Sequence, residues 1–163
     1  MSTTPTESTT HDFDFFVGRW TVRHRRLKER LAASTQWDEF GGTSLMQKLM
    51  DGQGNVDDNL IEAPTGAYRA VSLRSFDPKT AQWAIWWVDG RTPHHRLDPP
   101  MVGSFSGGIG TFYADDIINE RSIRVRYLWT DITANSCRWQ QAFSPDGGKT
   151  WETNWIMDFT RAR

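Results

Sequence analysis

His24 and Arg26 are the first residues of this chain whose types and spacing offer chemistry. They stand two apart in the run Trp20-Thr21-Val22-Arg23-His24-Arg25-Arg26-Leu27, so a strand of period two puts them on one face with Trp20 and Val22. If Trp20 points into a barrel, an imidazole and a guanidinium go with it. There they would orient an acidic or carbonyl-bearing ligand, and in an enzyme His24 would move a proton. If the strand lies at a barrel mouth, both are solvated. Tyr127 is a second acid/base candidate, and Tyr68 and Gln141 are candidates for fixing a ligand's orientation.

The aromatic residues supply the other half of a site. The chain carries nine Trp, nine Phe and three Tyr. Along the C-terminal segments, Trp139, Gln141, Phe143, Trp151, Thr153, Trp155 and Met157 share one face, and Arg138, Gln140, Glu152, Asn154 and Asp158 the other. Burying a large apolar side chain is worth roughly 1.5–3 kcal/mol, while an unpaired charge costs more than it returns. The aromatic face should therefore turn inward, with Tyr127 and Trp129. Trp20 and Trp87 complete the expected lining with His24, Arg26 and Tyr68. Whether these rings fill the interior or surround a cavity is open.

Other polar clusters read more plainly. Arg124 and Arg126 alternate against the wall as an outer ladder, with Glu152 or Asp158 as cross-strand partners. His94-His95 lies in a Pro-bounded loop without the spacing of a metal site, so no metal is expected. Haem would need an axial His, for which His24, His94 and His95 are available, and nothing else supports it. Asp57-Asp58 and Asp115-Asp116 point to opposite sides in a strand, and turn or edge roles suffice for them. Cys137 lacks a nearby base.

These groups must be held by strands. Asp12 to Trp20 reads as a plug, in which Phe13, Phe15 and Phe16 close a barrel floor and Gly18 turns the backbone. The first strand follows to Leu27. Lys28–Ala33 is a hairpin tip with room for one helical turn, and Ser34–Phe40 returns. Gly41-Gly42 suggests a bend or bulge before Thr43–Met50. Strands follow at Val56–Glu62, Tyr68–Phe76, Trp83–Val88, Val102–Phe105, Ile109–Tyr113, Ile123–Thr130, Arg138–Phe143 and Trp151–Phe159, with Asp115-Asp116 opening a turn. Both faces of Trp83–Val88 are apolar, so both should be covered, the outer one through Trp86 and Val88 by a partner subunit, which leaves a homodimer open. Asp89–Pro100 is a long irregular loop of the functional or mobile kind. The result is an all-β, antiparallel up-and-down barrel of about nine or ten strands with a short N-terminal plug. Residues 1–10 are expected to be a disordered tail and 11–163 one domain.

Ser144-Pro145-Asp146-Gly147-Gly148-Lys149-Thr150-Trp151 resembles the Asp-box turn of sialidases and many other β proteins, which staples a hairpin and carries no glycosidase activity by itself. Taken with F-x-F-F-V-G-x-W (13–20), Y-R-A-V-S-L-R-S-F-D-P (68–78) and W-A-I-W-W-V-D-G (83–90), it makes the chain resemble an uncharacterised bacterial group of small lipocalin-like proteins of the calycin type, over about residues 12–161. Calycins include carriers, haem binders and a few barrel enzymes acting on natural-product intermediates. The resemblance implies a barrel whose interior holds a small hydrophobic molecule, and assigns no residue a role.

Composition narrows the classes. A net charge of −1 argues against a nucleic-acid footprint, and no apolar run approaches the ~20 residues of a membrane span. One cysteine excludes an internal disulfide and fits a reducing, cytoplasmic setting. The expected function is binding of a small hydrophobic or aromatic molecule, without a cofactor. The alternatives are a cofactor-independent cyclase or isomerase using the same lumen, and an interaction protein.

Overall fold

The computed structural model describes residues 7–163, which form ten antiparallel strands closed into one up-and-down barrel. They are β1 (Gly18–Leu27), β2 (Trp37–Leu49), β3 (Gly54–Ala63), β4 (Gly66–Asp77), β5 (Gln82–Asp89), β6 (Met101–Ser106), β7 (Ile109–Ile118), β8 (Arg121–Thr130), β9 (Ser136–Ser144) and β10 (Glu152–Arg161). Each pairs with its sequence neighbours, and β10 returns to β1 with Trp20 opposite Arg161 and Arg26 opposite Trp155. Closure leaves no edge strand unpaired. No helix among the described residues is long and apolar enough to cross a membrane.

The plug forms as its aromatic spacing demands. Phe13, which precedes a 3-10 turn at Asp14–Phe16, and Phe16, which ends it, are both buried. Phe13 meets Trp83 and Trp129 edge-on, while Phe16 stacks on Trp20 at 5.5 Å and meets Phe159 edge-on at 5.0 Å. Trp20 donates its indole N–H to the Phe16 carbonyl at 2.8 Å. Gly18, at φ +115°, makes the turn into β1 that an L side chain would resist. From the far end of the chain, Arg161 donates to the carbonyls of Val17 (2.7 Å) and Phe15 (2.8 Å) and lies over the Trp20 ring. Of the expected tail, residues 1–6 lie outside the described residues. Ser8 bonds to Asp12 and accepts the Phe105 N–H, and Asp12 accepts the Trp83 indole N–H, so residues 8–12 are tied to the floor.

Several local expectations are corrected. Gly41-Gly42 makes no bulge: β2 runs straight through it in unbroken register with β1. A Cβ on Gly42 would come within 3.0 Å of His24 Nε2 and 2.4 Å of the Leu60 carbonyl oxygen, so the glycine is there for space. Lys28–Ala33 contains no helical turn; Leu31 and Ala33 take left-handed φ near 55° in a bent strap. Asp115-Asp116 opens no turn, because β7 continues to Ile118 and the reversal falls on Asn119 and Glu120. Trp151 and Thr153 do not share the inner face with Trp155. The β9–β10 register slips between Thr153 and Trp155, and one extra residue, Asn154, reverses the alternation before it. Trp151 packs outside, between Arg126 and Tyr113. The outer ladder accordingly pairs Arg124 with Tyr113 and Arg126 with Trp151, each at 4.4 Å, rather than with carboxylates. Asp158 pairs with Arg138, and Glu152 accepts the Leu31 N–H. Among the described residues nothing covers the outer face of β5: Trp86 is half-buried and Leu73, Val88 and Val102 are exposed.

Candidate ligand cavity

A cavity of about 460 Å³ occupies the barrel above Phe16 and opens at the end opposite the plug. Its wall is the aromatic face expected from the sequence. Tyr127 meets Trp139 edge-on at 4.8 Å, Trp139 meets Trp155 at 5.5 Å, and Trp155 meets Trp87 at 6.1 Å. β5 and β10 lie half-way round the barrel from each other, so the last contact spans the lumen. Edge-to-face pairs of this kind fix ring planes.

Of the residues predicted to bind ligand, Arg26, Trp87, Tyr127, Trp129, Trp139, Gln141 and Trp155 line the cavity together. Trp20, His24 and Tyr68 do not. Trp20 belongs to the floor. Tyr68 is on the inward face of β4 but is covered by Arg91, and its hydroxyl accepts from Arg26 Nη1 at 3.0 Å. His24, 1% exposed, is stacked on Phe40 at 4.8 Å and accepts the Trp155 indole N–H on Nδ1 at 3.0 Å. That bond leaves the proton on Nε2 when the ring is neutral. Desolvation, with a smaller contribution from Arg26, pushes the His24 pKa down to about 4. Its lone pair is spent on Trp155, so it has none to offer an iron atom. His95, in the loop after β5, does line the cavity mouth.

Tyr127 is half-buried because its ring faces the open lumen. Desolvation, then Asp98, pushes its phenol up to about 12, so at neutral pH it is a hydrogen-bond donor and not a base. Gln141 donates to Asn154 Oδ1 at 2.8 Å, which holds its amide at the wall.

A polar floor, absent from the expected lining, lies below the aromatic wall. Arg74, on β4, donates to Asn55 Oδ1 at 2.9 Å and pairs with Asp57. Both charged side chains are about 95% buried, at 4% and 5% exposure. The guanidinium lies over the Phe13 ring at 4.8 Å, and its Nε has no partner among the described residues. Asn59 donates to Asp57 at 2.6 Å and so completes the carboxylate's surroundings. Asp57 therefore has a buried structural partner and not a turn or edge role. The signal was present: Asn55, Asp57 and Asn59 share a parity with buried Ile61, as Arg74 does with Tyr68 and Ala70.

The mouth is edged by loops. Arg30 comes from the strap between β1 and β2, and Arg91, His95 and Asp98 from the loop between β5 and β6. Arg91 is held by both oxygens of Asp89 and lies 3.8 Å over Tyr68. Desolvation and then the neighbouring Asp116 hold the Asp98 carboxyl above the usual range. Among the described residues no group of three or more His, Cys, Asp or Glu side chains could hold a metal ion.

No family model matches the chain, and no curated protein matches it. Solved structures do share its architecture. The S-type phycobiliprotein lyase CPES from Guillardia theta superposes with a TM-score of 0.61 at 10% identity, over 97% of this chain and 94% of that one. EF1p2_mFAP2b bound to DFHBI gives a TM-score of 0.47 at 9% identity, over 95% of this chain and 100% of that one. At such identities the first likeness is one of fold: this chain is an all-β, ten-stranded, closed up-and-down barrel of the kind seen in the lyase.

Proposed function

We propose that the chain binds a small, flat, largely apolar molecule inside the barrel. The observation that carries this reading is the cavity itself, about 460 Å³ walled by Tyr127, Trp139, Trp155 and Trp87. That volume lies within the usual range for small-molecule sites, roughly 300–1,000 Å³. The ring planes are fixed before any ligand arrives, which lowers the ordering cost of binding. Polar groups facing the same space, Arg26, Tyr127 and Gln141, would set the orientation. A cytoplasmic carrier of the lipocalin-like, calycin type fits this arrangement. The cyclase or isomerase alternative has less support, since His24 stands outside the cavity and Tyr127 is held protonated without a paired base.

The test is tryptophan emission during titration with flat aromatic probes, together with native mass spectrometry of the purified protein. Binding with a Kd of micromolar order, weakened about tenfold or more in Trp139→Ala, is the expected result. Probes that leave Trp emission unchanged, with no co-purifying mass, would refute the reading.

A further inference from the structure

The basic residues of β1 and its strap fall into two groups. Three of those that turn outward have carboxylate partners: Arg23 and Arg25 meet Glu39, and Lys28 meets Asp38, while Arg19 stands in solvent at the plug end. Those that turn to the cavity, Arg26 and Arg30, make no ion pair among the described residues. Arg26 is fixed all the same. Its guanidinium lies over the Phe40 ring at 5.0 Å and the Trp155 ring at 5.2 Å, and one N–H is taken up by Tyr68. Arg30 lies 5.4 Å over the Phe143 ring, and the strap that carries it is anchored by the bond from the Leu31 N–H to Glu152 at 2.7 Å. Its side chain is exposed at the mouth. Desolvation and repulsion from Arg26 hold its pKa below the usual arginine value.

Two like charges thus line the same mouth above an aromatic wall, without the counter-ion that Arg23, Arg25 and Lys28 have. The carboxylates of the mouth do not serve. Asp89 is committed to Arg91, and among the described residues neither Asp98 nor Asp116 forms an ion pair with either arginine. Paired guanidinium forks with free N–H groups match a planar oxyanion in charge and geometry.

We propose that Arg26 and Arg30 form an oxyanion subsite, and that the molecule bound in the lumen is an aromatic acid lying with its charged end outward. This rests on the lumen being a binding site. It adds a ligand class and a direction: the ring system goes down among Trp87, Trp139 and Trp155, and the carboxylate stays at the mouth between β1 and the strap.

The experiment compares acids with the alcohols of the same shape, using two pairs: naphthaleneacetate with naphthaleneethanol, and pyrenebutyrate with pyrenebutanol. Each is titrated by quenching of Trp emission. The wild-type chain should bind the acid of at least one pair about tenfold more tightly than its alcohol. Arg30→Gln, on an exposed strap, and Arg26→Gln should each reduce that acid-to-alcohol ratio several-fold. Equal affinities in the wild type, or a ratio unchanged in both variants, would overturn the subsite while the lumen remains a binding site. If neither member of either pair binds, the lumen reading fails and the subsite with it.

Discussion

Trp155 donates its indole N–H to Nδ1 of His24 at 3.0 Å, which joins β10 to β1 across the seam that closes the barrel. The bond sets the plane of a ring that forms part of the cavity wall, while Phe40 stacks on the imidazole from the other side. His24 is therefore a positioning residue: it acts on a ligand only through Trp155.

A pH dependence follows. The His24 pKa is about 4 in the folded chain and about 6.5 when unfolded, so between these values the unfolded state binds the extra proton. The stability it contributes is fully present above pH ~6.5 and is lost as pH falls toward 4, by an amount on the order of 3 kcal/mol. Urea melts from pH 7 to 4 should show this decline, and it should be smaller in His24→Gln. A histidine resonance assigned to His24 that titrates near 6.5 in the native protein would contradict the account.

The buried pair on the floor predicts a different pattern. Arg74→Met leaves the Asp57 carboxylate enclosed without its cation and should cost about 3–5 kcal/mol in chemical denaturation. Arg74→Met combined with Asp57→Leu removes both charges and should recover most of that loss. A double variant no more stable than the single one would show that the pair is not the unit at work.

Arg161 fastens the plug. Its fork spans the Phe15 and Val17 carbonyls, and its Nε donates to the Ala134 carbonyl at 2.9 Å. Arg161→Ala should cost about 2 kcal/mol and raise hydrogen exchange at the Phe16 and Val17 amides. Lysine keeps the charge without the fork and should restore little of it. Unchanged exchange in Arg161→Ala would mean that the phenylalanines hold the floor unaided.

The barrel, its plug and the inward run of Trp139, Trp155, Tyr127 and Trp129 were legible because alternation and burial energy act on consecutive residues. What could not be read depends on partners fixed by register. The Asn154 bulge, which sends Trp151 outside, has no local marker. Gly42 looked like a bend because nothing in the sequence shows that His24 lies against it. Arg74 shares a face with Tyr68, but its buried partner Asp57 is seventeen positions away and meets it only through the β3–β4 pairing. Arg30 enters the mouth from a strap of irregular backbone, where no periodicity says which way a side chain turns.

The seam between β1 and β10 also bears on how the protein is made. Residue 20 finds its partner only when residue 161 has left the ribosome, so nine strands must wait with two bare edges until the tenth arrives. A chain interrupted before β10 would keep those edges open to proteases and to other nascent chains. The order of synthesis and the order of closure are thus tied together at the place where the cylinder shuts.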